Sequence, residues 1–214
     1  MANLDHLVVA AHTLDQGTTF IETLLGVAPI GGGKHAGMGT HNRVLRLGRG
    51  QYLEIIAVDP DAASPEFPRW FNLDDKDLQA MLKTKPRLIA WVARTRSIDR
   101  LAAAYRHLRV EIRPMQRDDL RWRFAFTADG SLPGGGLIPH LIQWESQTHP
   151  TEKMPESGCR LLGLEGAHPD RETIQETIDA MDLTHAIDIR RISGRCSTEL
   201  IARLDTPVGE VILD

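Results

Sequence analysis

Apolar and polar positions along the chain follow one rhythm that is written three times. The first passage opens on an apolar strand over residues 4–10. Thr13 or Asp15 is placed to cap the helix that follows, whose Phe20, Ile21, Leu24 and Leu25 fall on one side, and Gly26 stops it. A glycine-rich stretch over residues 31–39 leads into strands near 43–47 and 51–58, turned by Arg49-Gly50 and ended by Asp59-Pro60. The second passage has a strand over 88–92, a helix over 97–108 and strands near 110–114, 121–127 and 137–144, the last two joined by a turn-rich segment. In that helix Ile98, Leu101, Ala102 and Tyr105 share a face. Sliding the first passage by 84 residues lays Leu7 on Trp91, Val8 on Val92 and Asp15 on Asp99.

The third passage runs from a strand over 160–164 through a helix beginning near Pro169, with Ile174, Ile178 and Met181 on its buried side. Strands near 186–192, 200–204 and 211–213 close it. The pattern predicts an α+β fold of tandem βαβββ units. Residues 1–60 form the first unit, 61–86 a helical connector bearing Trp70, Phe71, Leu78 and Met81, and 87–147 the second unit, so that 1–147 make one domain. Residues 159–214 form a third βαβββ-like unit. Residues 146–158 read as a polar linker.

Composition narrows the class. With 214 residues, 42% hydrophobic and 25% charged, the chain is neither fibrous, disordered nor a disulfide scaffold. No apolar run approaches the length of a membrane span and no basic leader precedes the first strand, so a cytoplasmic address is expected, with Cys159 and Cys196 as reduced, inert thiols. The net charge of −4 is uneven: residues 87–123 hold ten arginines against four acids, a balance of +6. These arginines are interleaved with apolar residues, as in Arg121-Trp122-Arg123-Phe124. That suits the outer faces of strands, or a pocket for an anionic ligand, better than a nucleic-acid surface.

The strings Leu4-Asp5-His6-Leu7-Val8, Gly39-Thr40-His41-Asn42, Gly50-Gln51-Tyr52-Leu53-Glu54 and Leu141-Ile142-Gln143-Trp144 resemble the glyoxalase-like domain family of the vicinal oxygen chelate superfamily. The resemblance implies two units pairing into a half-barrel cup around a divalent metal (Zn²⁺, Ni²⁺, Mn²⁺ or Fe²⁺), with ligands on the first and last strands of each unit. Carried over, it makes His6 and Glu54 ligands. In the second unit Ala90 stands where His6 should repeat and Gln143, a weaker ligand, where Glu54 should. His140, three residues from Gln143, is expected on the other side of the sheet.

Glu54 or His41 is the candidate base. His41, Asn42, Arg121, Trp122 and Trp144 are the candidate substrate contacts, the tryptophans being core residues in the alternative reading. The glycines of residues 31–39 let the backbone approach a ligand or form a mobile flap, or else make a plain loop in which His41 and Asn42 cap backbone groups. Gly31-Gly32-Gly33-Lys34 lacks the spacing of a phosphate loop, and a two-histidine, one-carboxylate iron site would need His41 or His35 as its second histidine. Two functions follow. One is a metal-assisted lyase or isomerase acting on a small, oxygen-bearing, anionic metabolite bound in the cup. The other is a non-catalytic, resistance-type binding protein whose metal site has decayed, His6 and Glu54 then forming a metal-free polar pocket or a structural pair. The partner in either case is a small molecule, not nucleic acid or membrane, and a homodimer is left open.

Overall fold

The strand β1 (Asn3–Ala10) is buried over nearly its whole length, as a strand covered on both faces must be. In the computed structural model, which describes residues 2–105, 108–193 and 198–214, it lies near the middle of an eight-stranded sheet. After β1 the helix α1 (Leu14–Leu25) is capped by Thr13, whose hydroxyl accepts from the Gln16 amide at 3.2 Å, and ends at Gly26 in the left-handed region. The strands β2 (Ile30–His35), β3 (Thr40–Arg46) and β4 (Tyr52–Val58) complete the first unit. The second comprises β5 (Arg87–Arg94), β6 (Val110–Arg117), β7 (Leu120–Thr127) and β8 (His140–Trp144). Strand order is β2-β3-β4-β1-β5-β8-β7-β6, so the units mirror one another across the antiparallel β1–β5 pair. Leu7 and Trp91, which the 84-residue slide superposes, are cross-strand partners in that pair. The axis relating the two units therefore passes between them.

Each face of the sheet has its own core. Leu7, Val9, Leu53, Ile55, Trp91 and Leu141 join the outer core beneath α1. Val8, Ile56, Val92, Trp122, Phe124 and Ile142 point the other way, into the cup. Leu4 breaks the alternation expected for it: a bulge between Leu4 and His6 sends it to the outer core.

The glycine-rich stretch is not a flap. Residues Ile30–His35 pair with β3 as a strand, followed by a 3₁₀ turn. The sheet curls until this strand meets β6 across the mouth, where a Cβ on Gly33 would lie 2.7 Å from Cδ of Arg117. Gly33 thus makes room for an arginine to cross.

The connector holds the α-helix α2 (Lys76–Leu82), with Met81 half-exposed on its outer side, and a 3₁₀ turn that drives Trp70 and Phe71 into the cup. The helix expected over 97–108 is shorter. It spans α3 (Ile98–Ala102), after which Tyr105 turns inward and donates its hydroxyl to the Pro139 carbonyl.

The third unit keeps the element order but not the wiring. Strand β9 (Arg160–His168), helix α4 (Arg171–Ala180), and strands β10 (Asp188–Arg191), β11 (Glu199–Thr206) and β12 (Gly209–Leu213) form a sheet ordered β10-β9-β11-β12. Its first strand pairs in parallel with its second, β10, whereas in the first two units the first strand pairs in parallel with the last. Leu164, Ile178 and Leu204 of this unit share the outer core with Trp91 and Leu137. Cys159 is a buried free thiol, and Cys196 lies outside the described residues. No helix among the described residues is long and apolar enough to cross a membrane.

Trp91 is fully buried at the axis and its indole N–H donates to the Leu137 carbonyl at 2.8 Å. Trp91→Ala is expected to destabilise the fold by about 3–5 kcal/mol. Trp91→Phe, which chiefly strands that carbonyl, should cost about 1–3 kcal/mol. Urea unfolding of both variants measures the ranking.

Candidate functional site

Alternation on β1 and β4 brings His6, Tyr52 and Glu54 to the cup face, and β3 adds Asn42. The bulge at Leu4/His6 lets Asp5 and His6, neighbours in sequence, bond to each other. Asp5 is fully buried. Its Oδ1 lies 2.7 Å from His6 Nδ1. Its Oδ2 lies 2.9 Å from His149 Nε2 and accepts from the Trp144 indole at 3.1 Å. Burial pushes the Asp5 carboxyl up, but the hydrogen bonds from His149 and His6 outweigh it and hold the group well below the usual carboxylate range. An ionised carboxylate only accepts, so both rings donate to it. His6 is left presenting Nε2 to Glu54, 3.7 Å from Oε2, with its ring stacked on Tyr52.

Glu54 Oε1 in turn accepts from Asn42 Nδ2 at 2.5 Å. Asn42 Oδ1 accepts from the Gly33 amide at 2.9 Å and from Arg117 at 3.0 Å, which fixes the orientation of its amide group. Arg117 also donates to His35 Nε2 at 3.2 Å, while His35 Nδ1 meets Thr40 Oγ1 at 3.1 Å. Both side-chain partners of the Arg117 guanidinium are neutral. Burial lowers the His35 pKa to about 4, the charge on Glu54 opposing the shift and that on Arg117 adding to it.

These groups line one end of an open cavity of about 480 Å³, solvent mouth included. Trp70, Phe71, Trp122, Phe124, Ile142 and Trp144 make the apolar end. Pro150 and Met154, from the segment expected to be a plain linker, cover its rim.

Of the residues expected to form the site, His6, Asn42, Glu54, Trp122 and Trp144 come together here. Three do not. Gln143 points to the opposite face, where its side-chain oxygen accepts from the Ile98 amide at 3.1 Å. His41 alternates with Asn42 on β3 and so faces away from the cup. Arg121 lies on the exposed face of β7.

Register explains the first error. Val8 pairs with Glu54 and Val92 pairs with His140, and Val8 matches Val92 in the repeat. The counterpart of Glu54 is therefore His140, on the cup face. His140 is boxed in by aromatic rings, Phe71 at 4.8 Å and Phe124 at 5.8 Å. Burial drives its pKa down to about 3, a backbone contact at Ala125 opposing.

Asp5, Tyr52, Arg117 and His149 are site residues that the sequence reading missed, while His35, weighed there only as a second histidine for a metal, lies in the cup beside Arg117. Arg117 had a signal. Met115 pairs with Trp122 across β6 and β7, so alternation places Arg117 on the face that Trp122 occupies. His149 had none.

A model of the glyoxalase-like domain matches residues 4–181. The chain belongs to the glyoxalase-like domain family. It has the fold of the vicinal oxygen chelate superfamily. Among solved structures, a hypothetical protein from Staphylococcus aureus is 16% identical with a TM-score of 0.64, over 94% of this chain and 90% of that one. A variant of the Streptomyces coelicolor methylmalonyl-CoA epimerase, in complex with 2-nitronate-propionyl-CoA, is 18% identical with a TM-score of 0.42, over 68% of this chain and 98% of that one. The corresponding values for the methylmalonyl-CoA epimerase from Mycobacterium tuberculosis are 15%, 0.44, 70% and 91%. No match was found among curated proteins.

The divalent metal implied by the family fits this donor set poorly. Among the described residues no three His, Cys, Asp or Glu side chains gather as metal ligands. Ala90 offers no donor, Gln143 faces away and His140 is packed against Phe71.

His35 and His140 are held neutral below their ordinary value of 6.5, so the unfolded chain binds more protons than the folded one as pH falls from 6.5 toward 4. Stability is full above pH 6.5 and is lost on acidification, at about 1.4 kcal/mol per pH unit for each ring. Denaturant midpoints between pH 7.5 and 5 should fall accordingly, and His140→Phe should flatten that slope. An unchanged slope in the variant would contradict the assignment.

Proposed function

We propose that the cup binds a small, oxygen-bearing, anionic metabolite, its acid group seated on Arg117 and its reactive carbon against Glu54 and His6. The observation that carries this is Arg117 itself. It is a part-buried guanidinium inside the cavity, bonded to neutral acceptors, and it keeps donors to spare for a carboxylate. The aromatic end of the cavity suits a short carbon skeleton.

The chemistry this arrangement supports is proton transfer next to a carbonyl. Glu54 takes a proton from the carbon beside the carbonyl, the electron pair moves onto oxygen, and the positive charge of Arg117 stabilises the resulting oxyanion. His6, oriented by Asp5, presents Nε2 3.7 Å from Glu54, and a small approach of the two in the ligand complex would let it take the proton and return it. That makes the chain an isomerase or lyase acting through its own side chains. No step is assigned to a metal.

A second reading is binding without chemistry, favoured by the absence of a donor at Ala90 and by Phe71 filling the floor of the cup. The two readings separate on one measurement. If Glu54 acts as base, a bound 2-oxo acid exchanges its C3 protons for deuterium in an NMR assay, and Glu54→Gln abolishes the exchange while leaving binding measurable. Binding with no exchange for any acid that shifts the melting temperature would favour the second reading.

Arg117→Gln should weaken binding of 2-oxo and 2-hydroxy acids by about tenfold or more, as calorimetry would show. Gly33→Val, which pushes on the Arg117 stem, should act in the same direction. EDTA should leave wild-type affinity unchanged; loss of binding on chelation would refute the metal-free reading.

A further inference from the structure

Beside the cup, across the wall made by Trp144 and His149, lies a larger and more open cavity of about 1960 Å³, solvent included. Three arginines line it, and the cup reading uses none of them. Arg49 sits in the β3–β4 turn, Arg94 at the end of β5 and Arg96 two residues further on. Arg94 forms the floor. Its guanidinium donates to the Gly50 and Leu4 carbonyls and lies 3.6 Å from Asp5. Gly50, at φ +75°, lets the turn come this close, since a Cβ there would meet Arg94 at 3.1 Å. Arg49 and Arg96 are exposed, and among the described residues neither forms an ion pair. The one acid lining the cavity, Glu152, accepts from the His149 amide at 3.1 Å and caps a 3₁₀ turn.

We propose that this cavity is a second ligand site, for an anion carrying two or more phosphate groups. Three guanidinium groups stand against two carboxylates, Glu152 on the lining and Asp5 behind Arg94, so the positive excess lies at the rim, on Arg49 and Arg96, unpaired among the described residues. An arginine held by backbone carbonyls with two free ones at the rim offers forked donors from several directions, which suits tetrahedral oxyanions better than one planar carboxylate. A single-carboxylate ligand has no use for that excess. The site is separate from the cup but shares its wall. Asp5 bonds His6 on the cup side through Oδ1, and through Oδ2 the two residues that divide the cavities, His149 and Trp144.

Pyrophosphate is the probe, titrated calorimetrically into the full chain at low ionic strength so that screening does not mask exposed arginines. Binding is expected, weakened about tenfold or more in the Arg49→Gln/Arg96→Gln double variant and by a smaller factor in each single variant. Those residues are exposed, so folding should be intact, which circular dichroism checks. Arg117→Gln should leave pyrophosphate affinity unchanged, and Glu152→Gln should tighten it. No heat with about 5 mM pyrophosphate, or equal affinity in the double variant, would overturn the site. Citrate binding as tightly as pyrophosphate would overturn its assignment to phosphate.

Discussion

A fully buried carboxylate in the third residue of the central strand constrains the rest of this molecule. Removing an ionised aspartate from water costs several kcal/mol unless donors surround it, and Asp5 collects them from across the fold: His6 on β1, Trp144 on β8, His149 on the linker between the second and third units, with Arg94 on β5 nearby. Each donor fixes an element. Trp144 pins the last strand of the second unit, β8, against the first unit. His149 draws the linker over the rim of the cup, bringing Pro150 and Met154 with it. His6 is oriented so that Nε2 is the atom offered to Glu54. The charge that closes the fold also sets the tautomer of the residue most able to do chemistry.

The second constraint is closure. Eight strands curled into a cup leave two edges, and here they meet where Gly33 lets Arg117 cross. A side chain at position 33 would push on the Arg117 stem and disturb its bond to Asn42. Arg117, Asn42 and Glu54 form a chain of hydrogen bonds in which each group fixes the next, so the curl of the sheet and the orientation of the carboxylate are one geometric fact. A flexible loop could not do this, which is why residues 31–39 form a strand and a tight turn rather than a flap.

Much of the fold was legible because the central strands are near-continuous apolar runs bounded by turn residues. The repeat and the cap and stop of α1 follow from apolar spacing and from Thr13 and Gly26, whereas β2, written in glycines, leaves no such signal. The site was legible only where residues sit on strands of known register, as His6, Asn42 and Glu54 do. It was misread wherever the sequence leaves the register open. The second unit has no histidine at position 90 to anchor an alignment, so Gln143 was taken for the partner of Glu54 although the pairing of Val92 with His140 sets the true match three residues earlier. Long-range donors were invisible for a different reason. His149 reaches Asp5 across 144 residues of chain, and no local pattern in a polar, proline-bearing segment encodes where such a segment will land.

Register also shows how the duplicated halves have diverged. The first unit keeps an imidazole at position 6 and a carboxylate at position 54, tied to one another and to the curl of the sheet. In the second unit the same positions hold Ala90 and His140, and His140 is held neutral among Phe71 and Phe124. A neutral ring boxed by aromatics contributes shape and little charge, so positive charge in the cup must come from elsewhere. Arg117 supplies it from the edge strand of that same unit. The basic stretch is thus not spread evenly in its effect. Arg123 is tied to Asp99, Arg113 to Glu111 and Arg100 to Asp182, while Arg94, Arg96 and Arg117 face cavities. The second unit thus offers no imidazole–carboxylate pair to the cup, and its contribution there is one guanidinium among aromatic rings. The ionisable pair that could exchange a proton is confined to the first unit, where Glu54 and His6 stand on neighbouring strands.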